Sequence, residues 1–170
     1  MKRQRAQFET GFTLLEALLA SVVLAMAVGA MTMPFVAGAR NEQDDARRTL
    51  AVALAQEMME EVLAKPFEDD DEVAHLAVGP DAGERDRSDF DNMDDYDAYE
   101  EAAGAIANLD GQVIQDAAAA GLSRHVTASY VYVTGQTTEN DPNFLRATVE
   151  IRHDGQTIVR LARLVYGMQQ

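Results

Sequence analysis

The sequence predicts an α+β protein in which one long amino-terminal helix serves a small carboxy-terminal antiparallel sheet. Three observations carry that reading. Ala17 to Ala37 holds no charge and only two hydroxyls, a run long enough to cross a bilayer. Leu50, Leu54, Met58 and Val62 then recur every four residues, the spacing of one face of a helix. Finally, residues 124–166 are rich in β-branched and aromatic residues and alternate apolar with polar side chains.

In chain order, the first element is a basic leader with Lys2, Arg3 and Arg5, charge of the kind that stays cytoplasmic during insertion. Residues 12 to about 64 follow as one helix, a rod on the order of 80 Å at about 1.5 Å per residue. Pro34, flanked by Gly29 and Gly38, predicts a kink or local melting near residues 30–38. Beyond it, Ala51, Ala55, Met59 and Leu63 widen the Leu50 to Val62 stripe, and Arg47, Arg48, Glu57, Glu60 and Glu61 lie elsewhere on the surface. The methionines among these residues are read as packing groups. Lys65-Pro66 ends the helix.

Phe67 to Glu101 carries fifteen acids against two arginines, with Gly79-Pro80 and Gly83 inside it, and reads as a loop with short helical turns. Ala102 to Ala120 is alanine-rich; a turn at Leu109-Asp110-Gly111-Gln112 leads to a short strand at Val113-Ile114. The β region has strands at Arg124–Thr134, Leu145–Arg152 and Thr157–Tyr166. A polar loop, Gly135 to Asn143, joins the first two and a tight Asp154-Gly155 turn the last two. One side of this sheet is apolar and needs a cover, which the Leu50–Leu63 face supplies.

Composition bounds the function. At 170 residues the chain has room for one membrane segment and one modest domain. Its formal net charge of −15 falls to −17 without residues 1–11, which argues against nucleic acid as a partner. With no cysteine, disulfides and thiol-ligated zinc or iron–sulfur centres are excluded. His75, His125 and His153 have no partner four residues away, and no serine sits in a nucleophile-elbow pattern. Nor does a Gly-rich loop end in Gly-Lys-Ser/Thr. An enzyme is not expected.

Two places could carry function. One is Gly11-Phe12-Thr13-Leu14-Leu15-Glu16 at the head of the apolar run. An acid inside such a run costs roughly 2.5 to 3.5 kcal/mol mid-bilayer and needs a partner. Cutting after Gly11 would put a new amine on Phe12, close in sequence to Glu16. The other place is Asp89, Asp91, Asp94, Asp95 and Asp97, a density of carboxylates that either holds a hard cation such as calcium or stays open in water, the second being favoured. Its spacing does not fit an EF-hand, which wants an oxygen ligand at Met93. A second cluster, Glu68 to Glu72, reads as a solvated boundary.

The order of basic leader, Gly11, Phe12-Thr13-Leu14-Leu15-Glu16 and apolar helix resembles the class III signal of type IV pilins and type II secretion pseudopilins. The resemblance implies a pilin-like fold and three parts: a leader, 1–11, a transmembrane or filament-core helix, 12–36, and a periplasmic head, 37–170. It also implies cleavage after Gly11 by a prepilin peptidase, methylation of Phe12, and a role for Glu16 in joining other pilin or pseudopilin subunits. The protein would first sit in the bacterial inner membrane, head outside the cytoplasm, and then enter a pilus or pseudopilus. Leu54-Ala55-Gln56-Glu57-Met58-Met59-Glu60-Glu61 and Asp91-Asn92-Met93-Asp94-Asp95-Tyr96 are similar to a minor-pilin group that includes the D subunit of the mannose-sensitive haemagglutinin pilus. Unlike many pilins the chain has no disulfide. Two other readings are an ordinary signal peptide cut at Ala37-Gly38-Ala39, and a single-pass anchored binding module with an acidic, calcium-holding loop that joins no filament.

Overall fold

A computed structural model describes residues 12–67, 78–134 and 144–167. The leader with Gly11, the Glu68–Glu72 cluster, His75 and the loop 135–143 lie outside the described residues. The chain divides into two compact units, the first ending at Gln43 and the second beginning at Asp44.

Helix α1 runs Leu14–Leu63. Its start follows from Thr13, whose hydroxyl and carbonyl both accept the Glu16 N–H, at 3.3 and 3.1 Å, a threonine-to-glutamate spacing typical of helix N-termini. Helical conformation is unbroken through Gly29, Pro34 and Gly38, so the melting expected near residues 30–38 does not occur. An interior proline removes one backbone donor and crowds the preceding turn, at a cost of about 3 kcal/mol, and α1 continues through Pro34 nonetheless. Ser21 and Thr32 donate their hydroxyls to the carbonyls of Leu18 and Gly29, at 2.8 and 2.9 Å, so neither brings an unpaired polar group to the apolar run.

In the second unit the predicted α+β layout is present: the carboxy-terminal part of a long helix covers a small antiparallel sheet, a pilin-like arrangement. Strands β1 (Glu100–Glu101), β2 (Leu122–Val131), β3 (Phe144–His153) and β4 (Gln156–Tyr166) lie in the order β1-β2-β3-β4, every pair antiparallel. The Asp154-Gly155 turn has φ of 50° and 78°, both left-handed as a two-residue hairpin whose twist matches its strands requires. One sequence expectation was too spare and one too generous: β1 is an added fourth strand, inside the segment read as a loop, whereas the strand expected at Val113-Ile114 does not form and the 109–112 turn closes on a single bridge, Ala107 to Val113.

Ala51, Leu54, Ala55, Met58, Met59 and Val62 of α1 meet Leu122, Val126 and Ala128 of β2 and Leu145, Ala147, Val149 and Ile151 of β3. The alternation along β3 is what buries four residues on one face. Leu63, placed on the buried face by its spacing, is exposed at the helix end. Phe90, Met93, Tyr96 and Ile106 complete the core from the connecting segment.

Candidate functional site

In the first unit the notable feature is exposure. Phe12, Leu14, Leu15, Leu18, Leu19, and the large apolar residues beyond them up to Val36, are all exposed among the described residues. The most apolar 18-residue window has a mean hydropathy of 2.2, with none of it buried, so α1 is long and apolar enough to cross a membrane. Soluble proteins rarely leave so continuous an apolar surface uncovered. Phe12 stands at the head of this surface, and Glu16 lies in the first turn of the helix, where the free N–H groups favour a carboxylate.

In the second unit, of the five aspartates in the acidic constellation, Asp91 and Asp95 come together, and they do so with Glu84; one oxygen from each lies within 4.8 Å of the others. Three carboxylates are the kind of donor set that could hold calcium, whose remaining ligands would be carbonyls or water. Burial pushes the Glu84 carboxyl up, and the charges of Asp95 and Asp91 add to that against a hydrogen bond from the Asp81 N–H. The other predicted ligands have separate tasks. Asp89 Oδ2 accepts the Arg85 and Asp86 N–H groups at 3.2 and 3.3 Å, and Asp97 Oδ1 accepts the Ala128 N–H at 3.0 Å, tying the loop to β2. Asp94 is buried.

The expectation of an open, water-filled acidic loop is therefore corrected. Asn92, Asp94 and Asp95 are buried. Asp95 Oδ2 accepts the Asp91 and Asn92 N–H groups, both at 2.9 Å, and Asn92 Oδ1 accepts those of Asp94 and Asp95 at 2.9 and 3.2 Å. These acids fold the backbone locally, as short polar side chains do. The drive to bury them comes from Phe90, Met93, Tyr96 and Tyr99, spaced every three residues. Their rings stack edge to face, Phe90 to Tyr96 at 5.0 Å and Phe90 to Tyr99 at 5.8 Å. That apolar period was the signal available in the sequence, and the acids obscured it.

A second constellation brings together residues far apart in the chain. Arg124 of β2, its side chain fully buried, donates to Glu101 of β1, to the Ala107 carbonyl at 2.9 Å and to the Leu54 carbonyl of α1 at 3.4 Å. Arg87 grips Glu61 of α1 with both prongs of its guanidinium, Nε to Oε1 at 2.6 Å, and donates to Ala107 O at 3.2 Å. Tyr96 donates its hydroxyl to Glu61 at 2.9 Å. Arg87 and Glu101 are 3.6 Å apart. Two carboxylates and two guanidiniums thus balance, and each has partners for its remaining donors or lone pairs, the condition under which buried ions are tolerable. Burial raises the Glu61 pKa, but the Arg87 hydrogen bond and charge outweigh it and hold the carboxyl below its usual range. Burial, followed by the Glu61 charge, pushes the Tyr96 hydroxyl well above its usual value. The four ionic residues have no common spacing, and only the fold joins them.

His125 Nδ1 lies 2.9 Å from Glu100 and His153 Nδ1 3.5 Å from Asp154, each at an exposed acid. In comparisons with known proteins, no family model matches this chain, and neither the curated proteins nor the solved structures give a significant match.

Proposed function

We propose that the chain is a structural prepilin-type subunit, a minor pilin or pseudopilin. It is cut after Gly11 by a prepilin peptidase, methylated on Phe12, held in the inner membrane by residues 12 to about 36, and drawn into a type IV pilus or type II secretion pseudopilus. The observation that carries this reading is the apolar surface from Phe12 to Val36, exposed among the described residues and bearing Glu16 as its one acid. A helix that only anchored would not need that carboxyl. One that packs beside copies of itself can pair it with a Phe12 ammonium. At an effective dielectric near 20 and a separation of 4 Å the attraction is about 4 kcal/mol, enough to offset an insertion cost of roughly 3 kcal/mol. The pilin-like layout of helix and sheet supports the same reading.

The test is Glu16→Leu in the native host. Membrane insertion and cleavage should persist, because Leu is better suited to lipid than Glu, while the protein should disappear from sheared filaments. Undiminished incorporation of Glu16→Leu would contradict the role.

A further inference from the structure

The charges of the second unit are sorted across its sheet. Among the described residues, 78–101 hold ten acids and two arginines, while 144–167 hold four arginines and two acids. The first set lies at the β1 edge. There a cleft of about 770 Å³ runs beside Tyr99 and Glu100, with Asp86 and Asp110 also on its wall and Arg85 as the one cation there that is not committed to Glu61. Of the second set, Arg146 and Arg152 lie on β3, and Arg160 and Arg163 lie on the β4 edge, three strands from β1, about 14 Å at the usual strand spacing. β4 pairs with β3 alone among the described residues, and Arg160 and Arg163 are exposed on it. Arg160 has a partner in Glu150 at 3.2 Å but keeps 68% of its side chain in water; Arg163 stands opposite Ala147.

We propose that the heads associate edge to edge, the β4 edge of one copy set against the Asp86–Glu100–Asp110 cleft of the next, with Arg160 and Arg163 reaching the cleft's walls from the two opposite faces of the strand. The occupant is a second copy of this chain because one molecule carries both complementary halves, and on a protein of net charge −15 a cationic strand edge is the exceptional surface. Since the two patches differ, the contact is head to tail. Contacts of that kind close into a ring or propagate as an open helix, according to the rotation between copies. Guanidinium is suited to the task, being weakly hydrated and able to bind two carboxylate oxygens at once. The proposal rests on the filament-subunit reading for the crowding that brings heads together on a membrane.

The absence of cysteine allows a direct test on the full chain in its native membranes, with the amino terminus of the mature protein sequenced from the same preparation so that failure of processing is scored separately. Ala162→Cys on β4 and Leu109→Cys at the cleft, each on its own copy, should cross-link on oxidation far better than either does with Ser129→Cys on the sheet's outer face. Arg160→Glu with Arg163→Glu should cut the yield about tenfold, the scale of two surface pairs each turned into a like-charge contact. Asp86→Arg with Asp110→Arg on the partner copy should restore it. The Glu variant still guards the strand edge with charge, so a purely protective role for the arginines predicts no loss. Cross-linking no better than the Ser129→Cys control, cross-links of Ala162→Cys to itself, or a yield indifferent to charge reversal would each overturn the proposal. So would capture of a different protein in place of the second copy.

Discussion

Arg124 shows how much depends on one side chain. Its guanidinium ties β1, β2, the Ala107 turn and α1 through Glu101, the Ala107 carbonyl and the Leu54 carbonyl. Arg124→Ala would leave Glu101 charged and buried with Arg87 as its remaining cation, at a cost of about 3 to 5 kcal/mol. Arg124→Lys should recover only part of that, because an ammonium cannot span three acceptors in a plane. Chemical unfolding of the detergent-solubilised chain measures both; equal stability of wild type and Arg124→Ala would refute the account of the network. Glu61 adds a pH dependence. Its folded pKa is depressed, so it binds protons more weakly when folded, and its stabilisation is complete above the ordinary glutamate value of about 4.3 and lost as pH falls through the lower, folded value. Wild type should lose stability more steeply than Glu61→Gln on acidification below about pH 4.5. Parallel curves would show that Glu61 is not the group responsible. None of this was visible in the sequence, where Glu61 looked like one more solvated acid on a helix and Arg124 like the first residue of a strand.

Elements were more legible, and where they were misread the reason is physical. Period four in α1 and period two in β3 are direct consequences of burying one face, and both faces are buried as their spacing required. Asp154-Gly155 was legible because left-handed backbone at two successive positions suits few residue pairs. The segment 78–101 misled because carboxylates usually mean water. Here they hold backbone N–H groups while Phe90, Met93 and Tyr96 enter the core between them. Met58, fully buried where α1 crosses the sheet, tests the packing: Met58→Ala should cost about 2 to 5 kcal/mol. Val52→Ala, at a position on the same helix that is 44% exposed, should cost far less. Comparable melting-point losses for the two would mean that the face assigned to the core is wrong.

At the scale of the molecule, one chain carries two chemically opposed regions. The first, up to Gln43, is a helix with an apolar surface that water does not suit; the second has its own core and a balanced ionic network. Such a division was readable from composition, because a run of about twenty uncharged residues in a chain of net charge −15 admits few other arrangements. The surfaces that would join copies in the proposed filament were only half readable. The motif at Gly11 to Glu16 pointed to the helix, whereas the sorting of charge between the two sheet edges required the strand order. The reading of the whole molecule depends on a cation being made at Phe12 to meet Glu16. Its most direct test is the amino-terminal sequence and mass of the mature protein isolated from its native host. The account predicts a chain that begins at Phe12 and carries one added methyl group; a chain that begins at Met1 or at Arg40 would contradict it.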